Sequence, residues 1–401
     1  MLRPGTFALT LLLAALTALG PLSIDMYLPS LPEIGHALAA PTSRVQLTIS
    51  SYLIGFAVGQ TIYGPVSDRY GRRPVLFGAL AVYVAGVGIC AATPSIDPLI
   101  VARFLQGIGG SGAIVLARAI VRDLYSGVRA ARELSLMGSI SAFAPIVAPM
   151  IGGLLQTQFG WRANFVLMAA AAVIALAMAI RLLPETLRQR SAEPFSLRWL
   201  GKGYISLLRH RSFVAYLAIL TISYAGLFAW ISGAAVVLEG IYGMSAVTFG
   251  FTFALGAAGY MAGAAGAVRL VQRLGLDRMM GFGVSLLAAG GSIFAAIVAA
   301  QIPNGLWLIV AMAIYLAGVG LAMPQAIAGA LTPFPERAGM AASLLGLVQQ
   351  AAAAAAAAAV GTYLGQSAWP VAGAVFAAGW LTFLVWAFTR RLRVQEAASN
   401  S

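Results

Sequence analysis

Two residues able to do ionic chemistry, Asp25 and Arg103, stand inside long apolar stretches of this 401-residue chain, where a charge is costly. Asp25 sits in the run Ser23-Ile24-Asp25-Met26-Tyr27-Leu28-Pro29-Ser30-Leu31-Pro32. An acid among apolar side chains is expensive when ionised, which suits it to take up and release a proton. The competing reading is a carboxylate that only marks the membrane boundary. Arg103 opens Arg103-Phe104-Leu105-Gln106-Gly107-Ile108-Gly109-Gly110-Ser111-Gly112. Its guanidinium stays charged and demands partners, for which Asp25, Gln106 or a backbone carbonyl of the first helix are the candidates. Movement of Arg103 relative to Asp25 would change proton affinity; the alternative is an arginine that only pins helices together. Glu33, Asp97 and Glu239 read as outer-loop residues.

The elements that must position this pair are membrane helices. Hydrophobic residues make up 60% of the chain and charged residues 9%, against about 25% charged in an ordinary soluble domain. Mean hydropathy is +0.89. Apolar stretches of about 20 residues, enough to cross a bilayer, are predicted near 6–28, 45–66, 75–93, 98–120, 134–157 and 163–183, then near 212–236, 246–268, 279–300, 305–328, 339–363 and 369–390. The fold class expected is therefore all-α and integral to the membrane, with twelve helices. The segment 184–211 is rich in charge and proline and divides the chain into a six-helix bundle over 1–183, a central loop, and a second bundle with a short tail over 212–401.

The formal charge of +13 has a topological explanation. Of 25 Lys and Arg, 21 fall in the termini and alternate loops on one side, Arg44 and Arg162 fall on the other side, and Arg103 and Arg118 lie within the fourth helix. This asymmetry predicts cytoplasmic termini and anionic lipid headgroups as partners, and it leaves no basic surface for nucleic acid. The first apolar segment lacks a convincing cleavage site and is kept as a helix. Cys90 is the only cysteine, which excludes an internal disulfide. His36 and His210 fall in predicted loops as ordinary solvated residues. The sequence shows no metal cluster, nucleotide-binding glycine loop or nucleophile triad, so neither an enzyme nor a cofactor is expected; the proton gradient is the energy source.

Between the second and third stretches lies Gly64-Pro65-Val66-Ser67-Asp68-Arg69-Tyr70-Gly71-Arg72-Arg73. Its glycines allow a tight turn and its charges stay at the surface. The run resembles the Gly-x-Leu-Ala-Asp-Arg-x-Gly-Arg-Arg/Lys loop of the major facilitator superfamily of secondary transporters, departing at Pro65 and Ser67. Gln272-Arg273-Leu274-Gly275 occupies the corresponding place after the second helix of the second bundle, as in duplicated transporters. Pro184-Glu185-Thr186 resembles the superfamily's ending of the sixth helix, and the Arg103 run resembles its fourth-helix signature for proton-coupled members. Gly138, Pro145, Pro149, Gly152 and Gly153 on the fifth helix are similar to the antiporter signature, with Ala148 where the pattern has glycine; a generic kinked packing helix is the other reading.

Together these runs resemble the bicyclomycin-resistance and chloramphenicol-efflux branch of the drug:proton antiporters. The resemblance implies a transporter that exports small apolar drugs across the inner membrane in exchange for protons, working as a monomer by rocking of two halves. It implies proton coupling at Asp25 and Arg103. It also implies a latch of Gly64, Asp68, Arg69, Gly71, Arg72 and Arg73, with Arg72 paired to Asp123 and Asp68 facing the start of the eleventh helix. A nutrient symporter and a transport-like sensor or scaffold are the alternatives. Tyr52, Phe56 and Gln60 recur every four residues on the second helix, and Thr221, Tyr224 and Phe228 share a face of the seventh. With Tyr27 and Gln106 they are candidates for a drug-sized cavity, or else packing residues. Trp230 reads as an interfacial anchor, and the nine alanines Ala351–Ala359 as a smooth packing surface or mere low complexity.

Overall fold

The computed structural model describes residues 6–125, 127–141, 143–187, 197–365 and 367–399, which are helical with short connections and contain no strand. The chain forms two compact units, Met1–Phe195 and Ser196–Ser401. The first contains α1 (Phe7–Asp25), α2 (Leu31–Ala37), α3 (Thr42–Tyr70), α4 (Arg72–Ala92), α5 (Ile96–Leu124), α6 (Gly127–Ser141), α7 (Ala144–Phe159) and α8 (Arg162–Leu182). The second contains α9 (Leu197–Leu208), α10 (Arg211–Ala235), α11 (Ala246–Leu274), α12 (Leu276–Ala299), α13 (Leu306–Leu331), α14 (Ala338–Tyr363) and α15 (Trp369–Ser399).

Eleven stretches among the described residues are long and apolar enough to cross a bilayer, which makes the protein a multi-pass membrane protein. The fifth predicted stretch, 134–157, is not one continuous helix. It is shared between α6 and α7, each too short to span alone, and residue 142 between them lies outside the described residues. Pro145 stands in the first turn of α7, where its missing N–H costs nothing, and only Pro149 lies inside that helix.

Glycines set how closely the first unit packs. A side chain at Gly55 or Gly107 would run into the facing backbone between α3 and α5, and one at Gly86 or Gly109 into that between α4 and α5. Small residues thus let α5 sit between its neighbours at backbone distance, the usual solution where lipid supplies no hydrophobic drive for helices to associate.

Several local expectations are corrected. The central segment 184–211 contains a helix, α9, whose Leu200 and Leu207 are buried and whose Tyr204 hydroxyl lies 2.9 Å from Ser343 Oγ of α14. His36 and Glu33 lie in α2, and Glu239 in a π-helical turn, Val236–Ile241, that prolongs α10. Trp230 is no interfacial anchor: it is 1% exposed, stacked on Phe253 and edge-on to Phe294, because its ring fills the core of the second unit. Within the alanine run only Ala353, Ala354 and Ala357 are buried, which is one face of α14.

Candidate functional site

Asp25 is the last residue of α1 and is buried. The chain turns there because Pro29 and Pro32 cannot continue an α-helical ladder; a single 3₁₀ turn, Leu28–Ser30, leads into α2. Among the described residues the Asp25 carboxylate makes no ion pair. Arg103 is not its partner.

Arg103 is fully buried on α5, with no exposed surface. Its Nη1 donates to the Ser23 carbonyl of α1 at 2.9 Å and to Gln106 Oε1 at 2.6 Å. Of the three candidate partners, the structure therefore chooses the glutamine and the first helix's backbone. The guanidinium lies between two aromatic faces, 4.6 Å from the centre of the Tyr27 ring and 4.5 Å from that of Tyr52. The ring quadrupoles attract the cation where water is absent. Its Nε and Nη2 have no hydrogen-bond partner among the described residues. These two nitrogens are the donors of the guanidinium that the protein itself leaves open to an oxygen.

A shell of hydroxyls fixes this cage. Tyr27 Oη is 2.7 Å from Thr48 Oγ1, Tyr52 Oη donates to the Gly20 carbonyl at 3.2 Å, and Ser23 Oγ lies 2.6 Å from Tyr83 Oη. Tyr27, Tyr52 and Gln106, expected along a cavity, are instead fully buried parts of the arginine cage. Phe56 is 8% exposed, with its ring 6.1 Å from that of Tyr52. Gln60 is half-buried. In the second unit Thr221 and Tyr224 are half-buried, Phe228 is buried, and the Tyr224 and Phe228 rings are 4.7 Å apart.

Sequence reasoning missed Asn164. This fully buried residue of α8 donates from Nδ2 to Ser30 Oγ at 2.8 Å and to the Gly152 carbonyl of α7 at 3.3 Å. Gly152 itself lies so close to the Met26 carbonyl that a Cβ would overlap it. The residue after Asp25 is thereby clamped to α7, and α7 to α8. Gly153 is buried beside it, while Gly138 on α6 is exposed and touches nothing that a Cβ would meet. A polar residue just past Trp161-Arg162 was the one available signal for Asn164, and it is weak.

At the other end of α5 a second cluster forms. Arg72, 8% exposed, donates from Nε to Asp123 Oδ2 at 2.8 Å, from Nη1 to Asp68 Oδ1 at 2.5 Å and from Nη1 to Ser67 Oγ at 2.6 Å. Thr186 Oγ1 adds a donor to Asp123 at 3.1 Å. Glu185 caps α4: its two carboxylate oxygens accept from the Arg72 and Arg73 backbone N–H groups at 3.0 and 3.1 Å. Gly71 has φ +103°, which favours glycine, and a Cβ there would crowd Glu185 Oε2. Arg73 reaches the Ile180 carbonyl at 2.7 Å. Gly64 sits within the last turns of α3, and Arg69 lies exposed over the Tyr70 ring.

The second unit has a cluster at the corresponding turn. Gly275, φ +78°, precedes α12, and Asp277 accepts from Arg393 Nη2 at 2.9 Å and from Arg390 Nε at 3.3 Å, both arginines on α15. In the first unit the acid follows the last helix and the cations begin the third; here the acid begins the third and the cations stand on the last helix itself.

Two glycine-turn charge clusters and a buried arginine cage in an all-helical membrane chain fit a transporter of small molecules, the class that comparison with known proteins bears out. The Major Facilitator Superfamily model matches residues 13–357, and the chain belongs to that family. It is 36% identical over 347 residues to "Uncharacterized MFS-type transporter YdgK" of Bacillus subtilis, covering 85% of each chain. It is 33% identical over 341 residues to the "Chloramphenicol resistance protein" of Pseudomonas aeruginosa (84% of this chain, 80% of that one) and 29% identical over 350 residues to the "Bicyclomycin resistance protein homolog" of Haemophilus influenzae (87% of each). The fold matches a POT family transporter solved with 5-aminolevulinic acid, at TM-score 0.78 and 13% identity over 98% of each chain.

Proposed function

We propose that this protein exports small, mostly apolar drugs across the bacterial inner membrane in exchange for protons, with both termini cytoplasmic and no cofactor beyond the proton gradient. The relatives named for chloramphenicol and bicyclomycin resistance support the substrate class. The observation that carries the coupling is local. Arg103 grips the Ser23 carbonyl two residues before the buried Asp25, so any shift of α5 against α1 acts on the turn that holds the acid.

In this reading Asp25 carries the proton. Arg103 is the positioning cation, and its two idle donors take an oxygen in the alternative state. The Arg72 cluster is the part remade between states. Everted vesicles from cells expressing the chain, given an inward-acid gradient and radiolabelled chloramphenicol, test the function. Net accumulation that collapses with a protonophore is expected. Gradient-driven movement in the opposite direction would make the protein a symporter.

A further inference from the structure

Helix α5 is screened on nearly every side. Gly107 meets the Tyr52 backbone of α3, Gly109 the Tyr83 backbone of α4, and Ile114 the Gly20 position of α1. From Gly109 to Val121 every residue is buried except Val115, which is half-buried, and Arg118, which is exposed. At about 100° per residue Arg118 falls beside Gly107 and Ser111, which meet α3, and beside Ile114, which meets α1. It therefore opens along the seam between α1 and α3.

Arg118 lies within a membrane span yet has no hydrogen bond or ion pair among the described residues. The contrast with its neighbours is sharp. Arg103 on the same helix holds a carbonyl, a glutamine and two rings, and Arg72 holds two carboxylates. Arg122, one turn further on, is exposed and has no described partner either. Two like charges at i,i+4 repel, and a cation in a span belongs with a counter-charge or in a watery recess.

We propose that Arg118, assisted by Arg122, is an oxyanion-binding position of the first unit. It takes a carboxylate or phosphate group, carried by a soluble solute or by a lipid headgroup. The guanidinium fork matches such planar or tetrahedral oxygen pairs bidentately, and among the described residues no carboxylate occupies it. If the oxyanion belongs to the cargo, the inference rests on the export reading and widens its substrates from neutral drugs to acidic ones.

The test is equilibrium binding to the purified full chain in an uncharged detergent with no gradient, so its result is independent of whether drug export is observed. The probes are chloramphenicol succinate, inorganic phosphate and phosphatidylglycerol, with chloramphenicol as the neutral control. Wild type is expected to bind at least one anionic probe, Arg118→Gln to weaken it about tenfold or more, and Arg118→Lys to weaken it less, with the response to the neutral control unchanged by either variant. Binding of the succinate ester or of phosphate assigns the site to a solute; binding of phosphatidylglycerol alone assigns it to a headgroup. The proposal is overturned if wild type binds no anionic probe, if Arg118→Gln binds the anion as tightly as wild type, or if neutral and anionic probes are lost together. Should Arg118→Gln fail to fold, Arg118→Lys carries the comparison: weakened anion binding supports the site, and wild-type affinity overturns it.

Discussion

Arg103 reaches across from α5 to donate to the main-chain carbonyl of Ser23 at 2.9 Å, and so grips the first helix by its backbone two residues short of the acid. This geometry makes the shape of the cation matter. A lysine supplies charge and enough donors for both acceptors, but it lacks the planar guanidinium that lies between the two rings. Arg103→Lys is expected to keep the protein folded and to lower proton-driven export at least tenfold, and Arg103→Ala to abolish it. Rates in everted vesicles, normalised to protein in the membrane, check this; full activity of the lysine variant would reduce the cage to a point charge.

The Arg72–Asp123 contact predicts a stability effect. Asp123→Asn keeps the shape but removes the charge from a largely shielded pair, and a hydrogen bond to a charged group contributes about 1.5–3 kcal/mol. Asp68, half exposed, remains as a second counter-ion, which puts the expected loss at the low end. A lowered thermal midpoint in detergent is expected, and Asp68→Asn should lower it less.

Gly71 offers a cleaner measurement. Gly71→Ala must accept φ +103° and must displace the Glu185 carboxylate that caps α4. Strain of this kind costs on the order of 1–3 kcal/mol. Glu185→Ala, which removes the cap alone, should cost about 1 kcal/mol. Because both act on the same carboxylate, the double variant should lose less than the sum of the singles; simple additivity in thermal unfolding would separate the glycine from the cap.

Asn164 is expected to behave as a positioning residue. Asn164→Leu removes both donors that tie Ser30 and α7 together beside Asp25. Export should fall with a displaced pH profile, while Asn164→Asp, which keeps an oxygen but loses the donor, should fall as far. An unchanged pH profile with reduced protein in the membrane would assign Asn164 to folding alone.

How much of this was legible beforehand depended on range. Apolar run lengths gave the spans, because crossing a bilayer is a property of about 20 consecutive residues. Gly71 and Arg72 were legible because a glycine turn followed by charge is a local pattern. The break between α6 and α7 was missed because hydropathy stays high through Ala144–Pro145 while the helix is interrupted by a turn at Phe143. Asn164, Glu185 as a cap, and Asp277 with Arg393 were missed for the same physical reason: each acts on a partner 12 to 134 positions away, and nothing in its own neighbourhood says so. That a buried cation recruits Tyr27 and Tyr52 as its walls was not legible from their spacing either.

The central claim is that the Asp25 carboxyl carries the coupling proton, and Asp25→Asn tests it most directly. The variant should be assayed in proteoliposomes both for uphill chloramphenicol transport driven by a proton gradient and for gradient-free exchange of labelled for unlabelled drug. The account predicts that uphill transport disappears while drug exchange persists, because binding and movement survive without a titratable group. Uphill transport that continues with wild-type pH dependence would contradict it.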